Sequence, residues 1–267
     1  MKHEVLAEGI EIYQGDCQDV MKGMQDEIID LTVTSPPYDN LRAYNGYTFD
    51  FEGIAKQLYR LTKPGGVVVW VVGDATINGS ETGTSFRQAL YFMEIGFRLH
   101  DTEIYRKKNY IPLTHNRYEQ AFEFMFVFSK GNPKTFNPIM EPTKGAGNKY
   151  NLARKRYSKT IKEGAQRRRN EITTTKSEKI KSNIFSYACG SSRSNHPAPF
   201  PKDLPKDQII SWSSPGDLIL DPLCGSGTTG MGAVKLSRNF IGIDISEEYI
   251  NLTRKRIKEA LMQPRLL

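Results

Sequence analysis

Three cysteines are all that this 267-residue chain contains, and they stand far apart at Cys17, Cys189 and Cys224. An odd, scattered set builds neither a disulfide framework nor a metal-ligand cluster. It points to a reducing compartment and no zinc. Long apolar runs are missing too: none approaches the roughly 18 residues that a membrane span needs. The N-terminal stretch MKHEVLAEGIEIYQGD carries acids inside its only weakly apolar part, so it is not expected to be a signal peptide. Acidic residues are in short supply, 30 against 37 Lys and Arg, for a net charge of +7. The shortage is local. Residues 144–181 hold 13 Lys/Arg and three acids, a net +10, so the rest of the chain nets −3. One basic block in a slightly acidic protein is the footprint of a polyanion-binding element. A solvated, partly ordered insertion is the bland alternative.

With 38% hydrophobic and 25% charged residues, the chain has the make-up of a soluble globular protein. Its length suits one large α/β domain with an insertion, or one domain plus a small one. Strands are predicted at Glu11–Tyr13, Ile28–Thr32, Gly66–Val72, Phe97–Tyr105, Ala121–Phe128, Leu218–Leu220 and Phe240–Ile243. Helices are predicted at Cys17–Met24, Phe51–Leu61, Ser85–Ile95, Pro205–Ser211, Thr228–Leu236 and Glu247–Leu261. Strands that are apolar throughout, such as VVVWVV at 67–72, fit a parallel sheet covered on both faces. The alternation argues a doubly wound α/β fold. It breaks between about Gly131 and Asn195, where the chain is polar and basic. That is too long for a simple connection, so a functional insertion over 132–194 is expected, dividing a domain made of 1–131 and 195–267.

Two loops carry the chemistry. Near the C-terminus LILDPLCGSGTTG (218–230) runs from a strand ending at Asp221, through a glycine loop, into a helix starting near Thr228. Glycines permit close backbone approach, and a helix N-terminus favours negative groups. The next strand, NFIGIDI, ends in Asp244, whose carboxylate can accept from both hydroxyls of a ribose or cap the following helix. Gly225, Gly227 and Gly230 spell G-x-G-x-x-G, so a dinucleotide site must be weighed. Against it, only about 40 residues follow, and Asp221 stands before the first glycine, where it can reach a cationic amino acid group or orient the loop. A nucleoside-type ligand, a dinucleotide and a structural turn stay open on the loop alone.

Near the N-terminus IDLTVTSPPYDN (29–40) runs a strand into Ser35-Pro36-Pro37-Tyr38. The prolines stiffen the backbone and remove donors, leaving carbonyls. Ser35 adds a hydroxyl and Tyr38 a flat face. Together they suit a planar ring bearing an NH2 group: acceptors take the amine hydrogens while the aromatic ring stacks on the base. Such bonds localise a lone pair that is otherwise delocalised into the ring. The bland alternative is a rigid strand-end turn.

Together these segments resemble the amino-methylating DNA methyltransferases. TSPPYDN (34–40) is similar to that family's catalytic motif, and DPLCGSGTT (221–229) to its cofactor loop. Catalytic motif first and cofactor loop last resembles the permuted β group. The resemblance implies an S-adenosylmethionine-dependent Rossmann-like fold with a seven-stranded, mostly parallel sheet and a basic target-recognition insertion. It implies S-adenosyl-L-methionine as cofactor, held by Thr34, Asp221, Pro222, Cys224, Gly225, Gly227, Thr228, Thr229 and Asp244. YQGDCQDVM makes Asp16 the counterpart of the adenine partner, though Asp16 also precedes a predicted helix and suits an N-cap. HPAPFPKDLP places His196 and Pro197 by the methionine end. The insertion implies double-stranded DNA as partner, with Arg154, Lys155, Arg156, Arg167, Arg168 and Arg169 on it. A homodimer and a cognate restriction endonuclease are further partners that the resemblance leaves open. A prokaryotic or phage-encoded cytoplasmic enzyme with no membrane partner is expected.

In this family Ser at the first motif position resembles cytosine-N4 enzymes and Asp adenine-N6 enzymes. Ser35, with Arg42, Tyr44 and HPAPFP, favours cytosine; adenine is the alternative. Cytosine-C5 chemistry needs a thiolate, normally in a Pro-Cys pair, and no cysteine here follows a proline. A silent nucleic-acid-binding relative, and a methyltransferase of RNA or of protein glutamine, are the competing functions. The intact motifs argue against the first and the basic block against the second.

Overall fold

The structure is a computed structural model that describes residues 1–37, 49–110, 116–151, 172–188 and 201–263. Two compact units emerge: Met1–Asn137 with Asn183–Leu267, and Pro138–Ser182.

The larger unit is built on one sheet. Its strands are β1 (Lys2–Ala7), β2 (Ile10–Gln14), β3 (Ile29–Thr34), β4 (Thr62–Val72), β5 (Arg98–Lys107), β6 (Phe122–Ser129), β7 (Ile184–Tyr187), β8 (Leu218–Asp221) and β9 (Asn239–Asp244). They lie in the order β1-β2-β9-β8-β3-β4-β6-β5-β7. Pairing from β2 through β9, β8 and β3 to β4 is parallel throughout, while β1 and β6 run against the rest. This is the Rossmann-like, mostly parallel sheet expected, with all seven predicted strands in it. The count is nine rather than seven because an edge strand is added on each side. β1 folds back on β2 through Gly9, and β7 joins β5 in parallel.

Helices α1 (Cys17–Lys22), α2 (Phe51–Leu61), α3 (Thr84–Glu94), α4 (Asp203–Trp212), α5 (Thr228–Lys235) and α6 (Glu247–Leu261) match the six predicted ones to within two residues at every end. Trp70 and Trp212 are core residues. The Trp70 indole donates to the buried Gln88 Oε1 at 2.8 Å, which pins β4 to α3. Phe92 stacks on Phe128 and meets Trp70 edge-on, continuing that core. Gly230 of α5 is needed for close approach: a Cβ there would come within 2.6 Å of the Phe240 ring and 2.8 Å of Ile257 Cδ1. The smaller unit contains two short antiparallel pairs, Met140–Pro142 with Glu178–Ile180 and Lys149–Asn151 with Ile172–Thr174. Among the described residues no helix is long and apolar enough to cross a membrane.

Candidate active site

Parallel pairing brings the carboxyl ends of five strands to one rim of the sheet, the usual place for a ligand in an open α/β fold. In sheet order the rim carries Asp16 after β2, Asp244 ending β9, Asp221 ending β8, Thr34 and Ser35 leaving β3, and Asp74 after β4. Residues far apart in sequence are thus aligned by strand order alone.

Thr34 and Asp221 are bonded directly. The Thr34 hydroxyl donates to Asp221 Oδ1 at 2.8 Å, and the same oxygen accepts the Leu223 N–H at 3.2 Å. Asp221 is only 5% exposed. Burial pushes its carboxyl up to about 6, against the pull of the hydroxyls of Thr229 and Thr34 and of the Leu223 N–H. Of its two sequence-level roles, this geometry is that of orienting the loop. Thr229 adds a second tie to β3, its hydroxyl donating to the Val33 carbonyl at 3.4 Å.

The glycine loop is held from below. Gly225 and Gly227 both have positive φ, 48° and 74°, which glycine adopts at little cost. Asp244 accepts the Gly225 N–H on Oδ2 at 2.9 Å and the Ser246 N–H on Oδ1 at 2.8 Å. Its carboxyl is raised by burial and drawn back by those N–H groups. The Thr253 hydroxyl donates to the Gly225 carbonyl at 2.7 Å, and Arg256 donates to the Ser226 carbonyl at 2.5 Å. The loop is therefore preformed. The helix-capping alternative for the next helix falls to Ser246, whose hydroxyl accepts from the Tyr249 N–H. Asp16 does cap: its Oδ1 accepts the Gln18 N–H at 2.9 Å and the Asp19 N–H at 3.2 Å at the start of α1. Its side chain is nonetheless exposed at the rim, and the Gly15 N–H donates to the Asp244 carbonyl at 3.0 Å, so the two acids sit on adjoining strand ends.

Pro222, Cys224 and Thr228 are buried within the loop. Burial pushes the Cys224 thiol far up and that of Cys17 to about 12, so neither is a nucleophile at neutral pH. Pro36 is buried, and Ser35 and Pro37 are half-buried. Tyr38, Arg42, Tyr44, Arg154, Lys155, Arg156, Arg167, Arg168, Arg169, His196 and Pro197 lie outside the described residues. Sequence reasoning missed Asp74. Its carboxylate accepts the Ser85 N–H at 2.8 Å, the Ser85 hydroxyl at 2.5 Å and the Thr82 hydroxyl at 3.3 Å, fastening β4 to the start of α3. An acid just past an apolar strand was the available signal.

Among the described residues no cluster of His, Cys, Asp and Glu suits a metal. The donor set suits a nucleoside: a half-buried carboxylate at the tip of the strand after the glycine loop, and an exposed carboxylate on the adjoining strand end.

Comparison with known proteins places the chain in a family and supports its fold. The profile of the DNA methylase family matches residues 29–255. Orphan methyltransferase M.BamHII of Bacillus amyloliquefaciens is 48% identical over 241 residues, covering 88% of this chain and 90% of its own. PvuII DNA methyltransferase (cytosine-N4-specific) superposes with a TM-score of 0.66 at 22% identity, covering 94% of this chain and 90% of that one. A DNA modification methylase from Thermus thermophilus, complexed with S-adenosyl-L-methionine, gives 0.63 at 20% identity, covering 94% and 95%. Matched by the family profile over most of its length and 48% identical to a methyltransferase that it covers to 90%, the chain belongs to the DNA methylase family.

Proposed function

We propose that the protein transfers the methyl group of S-adenosyl-L-methionine to the exocyclic N4 amine of cytosine in double-stranded DNA, acting on a base turned out of the duplex. The observation that carries this is the Thr34–Asp221 hydrogen bond, which sets the Ser35-Pro36-Pro37 segment beside the glycine loop. Cytosine rests on Ser35 at the head of that segment.

The cofactor supplies an already electrophilic methyl group on sulfur. The chain has to place the amine in line and exclude water, which can lower the barrier by several kcal/mol. In this reading Ser35 and the carbonyls of Pro36 and Pro37 accept the amine hydrogens, and Tyr38 stacks on the base. Asp244 accepts from the ribose hydroxyls and Asp16 from the adenine amine. Thr34, Pro222, Cys224, Gly225, Gly227, Thr228 and Thr229 shape the loop, with His196 and Pro197 at the methionine end. Arg42, Tyr44 and the basic block with Arg154, Lys155, Arg156 and Arg167–Arg169 grip and read DNA. No acid–base residue is needed, because the amine attacks before it loses its proton.

Methylation-sensitive long-read sequencing of DNA from an expressing host tests the base and the site together. N4-methylcytosine at one recurring sequence is expected. N6-methyladenine there overturns cytosine. An unmarked genome, with tritium transferred from the cofactor to RNA or protein instead, overturns the DNA reading.

A further inference from the structure

A small hairpin stands on the rim beside the catalytic segment, and neither the cofactor site nor the amine socket uses it. β3 and β4 pair in parallel with Thr34 opposite Trp70. Just past that pair, one chain enters Ser35-Pro36-Pro37 and its neighbour leaves through Gly73-Asp74-Ala75. The next residues form an antiparallel ribbon of Thr76–Ile77 against Ser80–Glu81. Asn78 (φ 50°) and Gly79 (φ 78°) make the turn; two positive φ values at the centre of a two-residue loop define type I′.

A ribbon this short has little stability of its own. It is fastened from several sides. The Thr82 N–H donates to the Ala75 carbonyl at 2.9 Å and closes its base. Asp74 holds Thr82 and Ser85 beneath it. Arg117 donates to the Gly79 carbonyl at 2.5 Å and to the Thr76 hydroxyl at 3.4 Å, with Glu81 3.9 Å away.

What this scaffold presents is an apolar side chain: Ile77, next to the turn, is 54% exposed. A lone exposed isoleucine is ordinary on a protein surface. Its setting is not. Every other residue of Thr76–Glu81 is polar or glycine, and the hairpin carries no Lys or Arg. An element made to grip phosphates would present cations. This one presents a compact hydrocarbon wedge on a braced tip, on the strand adjoining the one that leads into the amine socket.

We propose that Ile77 enters the duplex at the target step and fills the space that the flipped base leaves. Proteins that unstack DNA use apolar wedges of this kind, isoleucine among them. Ile77 is a positioning residue: it stabilises the open duplex and touches neither the methyl group nor the amine. The inference rests on the base-flipping reading above.

The test compares wild type, Ile77→Ala and Ile77→Leu on duplexes carrying the recognition site found by host sequencing. Calorimetry with S-adenosyl-L-methionine checks that the variants fold. On a fully paired site Ile77→Ala should lose about tenfold or more in kcat/KM, since the target base must be unpaired and unstacked before it can react. A mismatch at the target pair should return most of that loss, because the duplex is already open there. Ile77→Leu should stay near wild type. With 2-aminopurine at the target position, wild type should raise its fluorescence on binding and Ile77→Ala should raise it much less. Wild-type activity of Ile77→Ala on the paired site overturns the wedge, as does a loss that the mismatch leaves untouched. If wild type methylates DNA without raising 2-aminopurine fluorescence, base flipping itself fails, a result distinct from failure of the wedge alone.

Discussion

Thr34 donates its hydroxyl to Asp221 Oδ1 at 2.8 Å, joining residues 187 positions apart in the sequence. One ends β3, which runs into Ser35-Pro36-Pro37, and the other opens the glycine loop. The distance between the two halves of the site is set by this bond and by the strand pairing beneath it. Thr34→Val keeps the shape and removes the donor. It should lower stability by about 1–3 kcal/mol, because a buried carboxylate loses a partner. Methyl transfer should fall with it, and Thr34→Ser should restore both. Urea unfolding read beside single-turnover methylation checks this; coincident unfolding curves for Thr34→Val and wild type would show the bond to be idle.

Asp221 links stability to pH. Burial raises its carboxyl from the ordinary 3.8 to about 6 in the folded protein. The folded chain therefore holds this proton more tightly than the unfolded one. The contribution of the group to stability is greatest at the acid end and is lost as pH rises from about 4 through 6. A shift of about two units corresponds to about 3 kcal/mol. Asp221→Asn cannot titrate, so the wild-type stability minus that of the variant should fall by up to this amount between pH 4 and 7. The difference in urea midpoints across that range is the measurement, and a flat difference contradicts it.

Asp244 holds the glycine loop through Gly225 and is the proposed ribose acceptor. Asp244→Ala should weaken S-adenosyl-L-methionine binding at least about tenfold, because hydrogen bonds to a charged acceptor disappear. Asp244→Asn keeps one acceptor oxygen and should fall between. Titration calorimetry decides; equal affinities across the three proteins would remove Asp244 from the cofactor site.

Tyr38→Ala should reduce turnover far more than cofactor affinity, because in the proposed reading it removes the face on which the base stacks. Ser35→Ala should act the same way more mildly, since backbone carbonyls remain. Rapid-quench methylation gives the turnover. A Tyr38→Ala enzyme working at the wild-type rate would move the base pocket elsewhere.

Replacing Arg167, Arg168 and Arg169 with Ala should weaken DNA binding and flatten its dependence on salt. For every phosphate no longer neutralised, the log–log slope should fall by about 0.9. A guanine-reading arginine among them would also relax site preference, where a pure phosphate grip weakens all sequences alike. Cofactor affinity should be unchanged. Cognate and scrambled duplexes titrated over a salt series separate these cases, and an unaltered slope for both makes the block a solvated surface.

The central strands and the helices were legible because burial writes a period into the sequence. VVVWVV is buried on both faces, and α2 shows the 3.6-residue pattern from its first residue to its last. Edge elements carry a shorter or fainter mark. β1 is largely exposed, and its Lys2-His3-Glu4 start reads as polar chain. β7 has four residues, and its strand state comes from pairing with β5, which local sequence does not encode. In the site, Asp221 and Asp244 announced themselves by standing at strand ends around a glycine loop. That Asp221 would be buried against Thr34 is a tertiary fact. So is the role of Asp74, which depends on Ser85 arriving beside it.

The order of the strands has a consequence in time. β3 lies between β4 and β8, and β2 lies between β1 and β9, yet β8 and β9 are synthesised last. At about 5–20 residues per second, the 187 positions from Thr34 to Asp221 take roughly 10–40 s on the ribosome. Through that interval one side of β3, with Leu31 and Thr32 fully buried in the finished fold, has no strand to pair with. The nascent chain carries an open, apolar sheet edge throughout that interval, the making of its basic segment included. Ribosome-stalled chains ending before Leu218 should therefore recruit chaperones and aggregate when released, and full-length chains stalled through an added C-terminal linker long enough to carry Asp244 out of the exit tunnel should not.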